Sequence, residues 1–201
     1  MFNPNSNFLF KRSGVKSKNR IVLAAMTNKQ SFEDGIISMD EINWLSRRAQ
    51  GGFGIITTAA THVSKHGQGW EGEFGVFDDK FIPCLTKLTH SIHRYDGLVF
   101  AQLFHGGIRS PETLTGMQPI SADRVECKES KSGFSIKATE NDIKRIIKEF
   151  TSAAVRCVDA GFDGVELHGA HGYLISQFLS KSINKRKDRW GGDLKLSLIH
   201  I

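Results

Sequence analysis

An α/β fold built on a parallel sheet is the structure that this 201-residue sequence predicts. Its apolar residues fall in four short, almost unbroken runs, as expected for strands that are covered on both faces. Amphipathic patterns with helical spacing lie between these runs. Strict alternation of strand and helix is typical of βαβ units, whose strands are parallel.

The predicted elements follow one another in a regular order. The four predicted strands are residues 20–26, 53–60, 97–105 and 162–168. A first helix begins at Ser38-Met-Asp-Glu41, which matches a capping box, and ends at Gly51. A second begins at Asp78 and stops before Gly97. Thr139 caps a third, whose apolar stripe is predicted to contain Ile143, Ile146, Ile147, Phe150, Ala154 and Val158.

The number of units decides between two parallel α/β architectures. A closed TIM (β/α)8 barrel has eight strand–helix pairs in about 250 residues, and this sequence contains four. An open doubly wound sheet is the alternative, but its G-x-G-x-x-G signature does not follow the first strand. We therefore predict a TIM barrel that is truncated after about its first four β/α units. Residues 106–138 form a long polar connection, which predicts a functional lid or a disordered segment.

Composition excludes several classes of protein. No apolar run reaches the roughly 20 residues of a membrane span, and the N-terminal sequence does not resemble a secretory signal, so we expect a cytoplasmic protein without a membrane partner. Cys84, Cys127 and Cys157 are widely spaced, which predicts neither disulfides nor a zinc site. The net charge of +6 comes without a basic stripe or a nucleic-acid-binding module, so no nucleic-acid partner is expected.

Polar residues collect where the predicted strands end. Thr27 follows the first strand, and Ala60 ends the second, where a ligand could approach the backbone closely. Gln102 and His105 end the third. Because the carboxyl ends of parallel strands converge on one face, we expect these groups to point toward one another and toward the residues after the fourth strand.

The densest cluster is His168-Gly-Ala-His171-Gly-Tyr173. Its two imidazoles can hold a developing oxyanion, and a phenol with a pKa near 10 can supply a proton at neutral pH. A metal site would need a third protein ligand, which has no obvious candidate, so none is predicted. His62 and His66 are interpreted as loop residues without a role.

Four segments resemble, in order and spacing, the signatures of old yellow enzyme-type NAD(P)H:flavin oxidoreductases. They are Asn19-Arg-Ile-Val-Leu-Ala-Ala-Met-Thr27, Ala101-Gln-Leu-Phe-His-Gly-Gly107, Val165-Glu-Leu-His-Gly-Ala-His-Gly-Tyr-Leu-Ile-Ser-Gln-Phe-Leu179 and Asn184-Lys-Arg-Lys-Asp-Arg-Trp-Gly-Gly192. The resemblance extends over about residues 8–194. Residues 195–201 do not continue the family pattern and are interpreted as a short tail, and residues 1–201 as the N-terminal half of a single FMN-binding barrel domain.

The resemblance implies an FMN-dependent enzyme that takes a hydride from NAD(P)H and reduces the C=C bond of an α,β-unsaturated carbonyl compound. The cofactor-binding residues it implies are Ala25, Met26, Thr27, Ala60, Gln102 and His168. His168 and His171 would bind the substrate carbonyl oxygen, and Tyr173 would protonate the α-carbon. Thr27 stands where one branch of the family carries a cysteine.

Two alternatives stay open at this point. One is a larger relative of the dienoyl-CoA reductase or amine-oxidising type, which would carry an iron–sulfur cluster and further domains. The other is an inactive truncated half-barrel, which could pair with itself as a homo-oligomer because its sheet edges are open.

Overall fold

The computed structural model describes residues 3–192. Its strands are β1 (Phe8–Leu9), β2 (Lys16–Ser17), β3 (Val22–Leu23), β4 (Ile55–His62), β5 (Leu98–Phe104), β6 (Ile120–Ser121), β7 (Ile136–Lys137) and β8 (Gly164–Leu167). Its helices are α1 (Met39–Gln50), α2 (Ile82–His93), α3 (Glu112–Thr115), α4 (Glu140–Asp159) and α5 (Leu174–Leu179). The tail that we separate at residues 195–201 lies outside the described residues.

The central sheet consists of four parallel strands in the order β3-β4-β5-β8. Consecutive β/α units therefore lie side by side, as in one half of a TIM barrel, and the predicted fold class is confirmed. The boundaries differ from the prediction at the first strand, where only Val22–Leu23 pairs with β4. The antiparallel hairpin of β1 and β2, which precedes the sheet, was not predicted.

One face of the sheet is packed against helices. On β5, Val99, Ala101 and Leu103 are fully buried and belong to the same core cluster as Leu45 of α1 and Leu88 of α2. Leu98, Phe100 and Gln102, which alternate with them, are only partly buried. The expectation of strands covered on both faces therefore holds for β4, in which every residue is buried, but is wrong for β3, β5 and β8, because helices α1, α2 and α4 form one layer on one face.

Apolar side chains are exposed at both edges of this sheet. Val22 on β3 is 49% exposed, and on β8 the exposed fractions are 40% for Val165 and 47% for Leu167. An edge strand also presents unpaired backbone groups. The two edges are thus the surfaces at which further chain could be added.

Helix α1 begins with half of the predicted capping box. The Ser38 hydroxyl accepts a hydrogen bond from the Glu41 N–H at 3.1 Å, as predicted. The Glu41 carboxylate does not return to the Ser38 backbone, because it is buried and accepts hydrogen bonds from Asn28 and Ser31 instead. The Ser38 N–H donates to the Ser31 hydroxyl, so Ser31 closes the box indirectly.

Helix α4 begins at a complete capping box formed by Thr139 and Asp142. Its buried stripe differs from the predicted one, since Ile147 is 43% and Val158 72% exposed. Ala153 and Cys157 are buried in their place, one position away from predicted members of the stripe. The helix is thus rotated relative to the prediction, and large apolar side chains face outward.

The long connection between β5 and α4 is ordered by its own hydrogen bonds. It contains α3 and the parallel pair β6–β7, in which Ile120 pairs with Ile136. Ile120 is fully buried and packs in a second core cluster with Ile143 and Leu174. The expectation of a disordered segment is therefore wrong for these residues.

No helix among residues 3–192 combines the length and apolar character that crossing a membrane would need.

Candidate active site

A cavity of about 340 Å³ opens at the carboxyl ends of the four parallel strands. Its walls include every catalytic and cofactor-binding residue that the family resemblance implies, namely Ala25, Met26, Thr27, Ala60, Gln102, His168, His171 and Tyr173. The volume falls in the range of about 300–1,000 Å³ that is usual for ligand pockets. The structure thus brings the predicted residues together, while their individual roles stay predictions.

A one-residue bulge sets the register at the floor of this cavity. Thr57 of β4 pairs with Phe100 of β5, and the next pair is Ala60 with Gln102. Between these two pairs β4 advances by three residues and β5 by only two, so β4 contains one extra residue. The Thr58 hydroxyl accepts a hydrogen bond from the Gln102 N–H at 3.2 Å and holds the bulge in place. Bulges often re-aim side chains next to active sites, and this one places Ala60 beside Gln102.

The Gln102 amide is oriented by Glu166, which was not among the predicted site residues. The two residues pair in register across β5 and β8, and Gln102 Nε2 donates to Glu166 Oε1 at 2.5 Å. The carboxylate of Glu166 can only accept, so the Gln102 nitrogen faces it, and the Gln102 amide oxygen remains available as an acceptor. Glu166 could have been found from the sequence by aligning the third and fourth predicted strands, because it is the neighbour of Gln102 in the adjacent strand.

The His168 ring is held in a defined tautomer. Its Nδ1 accepts a hydrogen bond from the Ala170 N–H at 3.3 Å, so the proton of the neutral ring lies on Nε2. Burial and, to a lesser extent, the neighbouring His171 lower the pKa of His168, while Glu166 opposes this shift. At neutral pH His168 is therefore an uncharged hydrogen-bond donor.

His168, His171 and Tyr173 form one aromatic cluster. The ring centroids of His168 and His171 lie 5.1 Å apart, and those of His168 and Tyr173 4.8 Å apart. Tyr173 also makes an edge-on contact with Phe104, at 4.5 Å between ring centroids. Two imidazoles and a phenol thus face the same small volume, which suits them to binding an oxygen atom and delivering a proton.

Trp70 completes the wall of the cavity and was not predicted from the sequence. It lies in the loop after β4, and its ring centroid is 5.2 Å from that of Phe104. The loop is held by the buried Glu73 carboxyl, which accepts a hydrogen bond from the Gly69 N–H at 2.7 Å. Nothing in the local sequence connects Trp70 with the later strand ends.

Two histidines lie in other places than those predicted from the sequence. His105, expected to point toward the other strand ends, does not line the cavity: it is 2% exposed, and its Nδ1 accepts a hydrogen bond from the Gly107 N–H. His62, expected in a loop, is the last residue of β4 and is 1% exposed. Burial lowers the pKa of each ring to about 3, so both rings are neutral structural groups.

His62 and Glu73 lie close together without forming an ion pair. His62 Nδ1 is 3.8 Å from Glu73 Oε1, and burial raises the pKa of Glu73 well above its usual value. The His62 ring is uncharged near neutral pH, and burial disfavours the charged form of both groups. Among the described residues, no group of three or more His, Cys, Asp or Glu side chains is arranged to hold a metal ion.

Known proteins with similar sequences match this chain over most of its length. Residues 9–196 match the model of the NADH:flavin oxidoreductase / NADH oxidase family. A probable NADH-dependent flavin oxidoreductase of Bacillus subtilis is 40% identical over 185 residues, which cover 92% of this chain and 49% of the relative. An NADH:acrylate oxidoreductase of Vibrio harveyi is 39% identical over 185 residues, again 92% of this chain but 18% of the relative.

Solved structures show the same fold. The old yellow enzyme homologue of Zymomonas mobilis superposes with a TM-score of 0.91 at 28% identity, over 98% of this chain and 57% of that one. A 2-naphthoyl-CoA reductase superposes with a TM-score of 0.90 at 27% identity, over 96% of this chain and 31% of that one. The chain thus spans about half the length of the Bacillus and Zymomonas proteins and a smaller share of the other two.

Proposed function

The chain belongs to the NADH:flavin oxidoreductase / NADH oxidase family, and we propose that it carries the substrate-reducing site of an enzyme that acts on the activated C=C bonds of α,β-unsaturated carbonyl compounds. The family's cofactors are FMN and NAD(P)H. The observation that supports the proposal best is the cluster of His168, His171 and Tyr173 at one end of the cavity floor.

The residues of the floor fit the ring system of FMN. Ala25 and Ala60 are small and leave room for a flat ring, and Ala60 lies directly beside Gln102. Because Glu166 holds Gln102 Nε2, the Gln102 amide keeps an acceptor oxygen and one further N–H for the pyrimidine edge of a flavin. Thr27 and the His168 Nε2–H provide further hydrogen-bonding groups. Bound FMN would supply hydride transfer from NAD(P)H to the alkene.

His168 and His171 are proposed to bind the substrate carbonyl oxygen. The His168 Nε2–H is a donor because Nδ1 is already occupied by the Ala170 N–H. A carbonyl oxygen held by these imidazoles draws electron density from the alkene and is stabilised as negative charge develops on it. One such preorganised donor contributes about 3–4 kcal/mol to a transition state in a site that excludes water.

Tyr173 is proposed to protonate the α-carbon. Its ring is packed between Phe104 on one side and the His168 ring on another, which restricts the directions in which the hydroxyl can point. A phenol remains protonated at neutral pH and is acidic enough to transfer a proton to a carbon of similar basicity. The proton thus comes from the same end of the cavity as the donors to the oxygen.

Flavin retention and enone reduction test the proposal together. The chain is mixed with excess FMN, desalted and examined for flavin absorption, and the yellow protein is then given NADH or NADPH followed by 2-cyclohexenone without oxygen. We expect bleaching of the flavin by the nicotinamide and recovery of its colour on addition of the enone. A protein that retains FMN and is bleached but is not reoxidised by any of several enones would contradict the proposed substrate class.

A second candidate function is the reduction of unsaturated acyl-CoA thioesters. It is favoured by the structural similarity to 2-naphthoyl-CoA reductase, of which this chain covers 31%. A thioester carbonyl could occupy the same position near His168 and His171. Replacing 2-cyclohexenone by an enoyl-CoA in the same assay separates the two functions, since the faster reoxidant identifies the substrate class.

A further inference from the structure

Tyr173 is preceded by two residues with left-handed backbone geometry. His171 has φ of +57° and Gly172 has φ of +72°. The left-handed region suits glycine but is rarely adopted by a residue with a side chain. The turn that carries Tyr173 must therefore be held by contacts outside itself.

Gln177 of α5 provides one of these contacts. Its side chain is fully buried, and its Nε2 donates to the Gly172 carbonyl at 2.7 Å and to the Gly106 carbonyl at 3.3 Å. Its Oε1 accepts from the Ile108 N–H at 3.3 Å. A Cβ atom at Gly107 would lie 2.4 Å from Gln177 Oε1, so only glycine lets the loop approach this amide. Gln177 thus joins the loop after β5 to the turn after β8.

Arg109 provides the second contact. It ends the short 3-10 turn after β5, and its Nη1 donates to the His171 carbonyl at 2.9 Å. Its guanidinium also lies over the Tyr173 ring, 4.9 Å from the ring centroid, where a cation is attracted by the ring face. The carbonyl groups of both left-handed residues are therefore bound by side chains from outside the turn.

We propose that Gln177 and Arg109 are positioning residues for Tyr173. By holding the carbonyls of Gly172 and His171, they fix the left-handed pair and so aim the phenol into the cavity. This inference rests on the proposed function only in giving Tyr173 a role in proton transfer. The positioning itself is a property of the chain and can be measured without turnover.

The sequence contains only two tyrosines, Tyr95 and Tyr173, which makes the test direct. With ¹³C-labelled tyrosine, the NMR spectrum should show two sets of ring signals, and a Tyr95→Phe variant assigns them. In the wild type, the ring currents of Phe104 and His168 should displace the Tyr173 signals from those of free tyrosine. In Gln177→Met, which has a similar volume but no N–H donor, these signals should move toward the free-tyrosine position while those of Tyr95 stay unchanged.

Gln118→Met is the matched control. Gln118 Nε2 also donates to a backbone carbonyl, that of Phe134 at 2.8 Å, but it lies in the connection between β5 and α4 and does not touch the turn. We expect its Tyr173 signals to match those of the wild type. Unchanged Tyr173 signals in a folded Gln177→Met variant, or equal displacement in Gln118→Met, would overturn the role of Gln177.

Arg109 keeps the inference testable if Gln177→Met does not fold, because Arg109 is exposed. Arg109→Ala should displace the Tyr173 signals, and Arg109→Lys, which retains a cationic donor, should partly restore them. Wild-type signals in Arg109→Ala would overturn its role. Failure of enone reduction with intact Tyr173 positioning would instead count against the proposed function alone.

Discussion

The chemistry proposed for the cavity depends on two atoms, the His168 Nε2–H and the Tyr173 hydroxyl. The His168 proton is placed by a single backbone hydrogen bond from Ala170. The Tyr173 ring is placed by its contacts with Phe104 and His168. Substitutions at these residues should therefore affect separate steps of one reaction.

Tyr173→Phe should slow reoxidation of the reduced flavin by 2-cyclohexenone by about 10²–10⁴-fold, the usual contribution of a positioned general acid. Reduction of the flavin by NADPH requires no proton from Tyr173 and should change little. Stopped-flow measurement of both half-reactions in the flavin-loaded protein checks this. Equal losses in the two half-reactions would remove Tyr173 from the role of proton donor.

His168→Ala and His171→Ala should weaken the binding of phenols, which mimic the oxygen of the enolate. A phenolate stacked on an oxidised flavin gives a long-wavelength charge-transfer band. We expect this band to be lost in both variants, because the donors to the phenolate oxygen are removed. A titration with p-chlorophenol measures it, and an unchanged band in either variant would exclude that histidine from binding the oxygen.

At the scale of elements, the ends of β4 and β5 contain neutral buried histidines. The folded protein binds a proton at His105 only near pH 3, whereas the unfolded chain does so near 6.5. Between these values the unfolded state binds more protons, so stability falls as the pH is lowered. The raised pKa of Glu73 acts in the opposite sense, since it costs stability as the pH rises above the unfolded value of 4.5.

His105→Gln should therefore flatten the acid side of the stability profile. Between about pH 6.5 and pH 4, the free energy of unfolding of the wild type should fall by up to about 1.4 kcal/mol more per pH unit than that of the variant. Urea denaturation at several pH values provides the measurement. Glutamine retains an acceptor for the Gly107 N–H. Parallel stability profiles for the two proteins would show that folding does not lower the pKa of His105.

At the scale of the whole molecule, several exposed apolar side chains lie on α4 and at the edges of the sheet. Val158 and Val155 of α4 are 72% and 55% exposed, and Val165 of the edge strand β8 is 40% exposed. Exposed apolar surface next to an unpaired strand edge favours association. These features belong to a sheet of four parallel strands, whereas a closed barrel has no edges.

We expect the 201-residue chain to self-associate at micromolar concentration and to form dimers or larger species in light scattering coupled to size exclusion. The double variant Val158→Lys/Val165→Lys should shift the distribution toward monomer, because it places charges on the exposed surface. Phe32→Lys, at an apolar residue that is 58% exposed in a loop, is the control. A monomeric wild type would contradict this expectation.

Local sequence signals predicted the four strands of the central sheet, helices α1, α2 and α4, and the place of the site. Ser38 and Thr139 start their helices as predicted, because capping depends on residues only three positions apart. Residues at or near the ends of all four strands line one cavity, because parallel strands end on a common face, although His105 does not. The prediction that Ile147 and Val158 of α4 are buried is wrong. A broad apolar stripe does not define which of its residues face the sheet.

What the sequence by itself determined is thus the alternation of strands and helices, the family and the residues that can meet at the strand ends. Only the tertiary structure decided the bulge that aligns Ala60 with Gln102, the pairing of Gln102 with Glu166 and the Trp70 wall. It also decided the burial of His62 and His105 and the contact of Gln177 with the Gly172 carbonyl. These features depend on contacts between residues far apart in the chain and on side-chain directions, which periodicity and motif spacing do not encode.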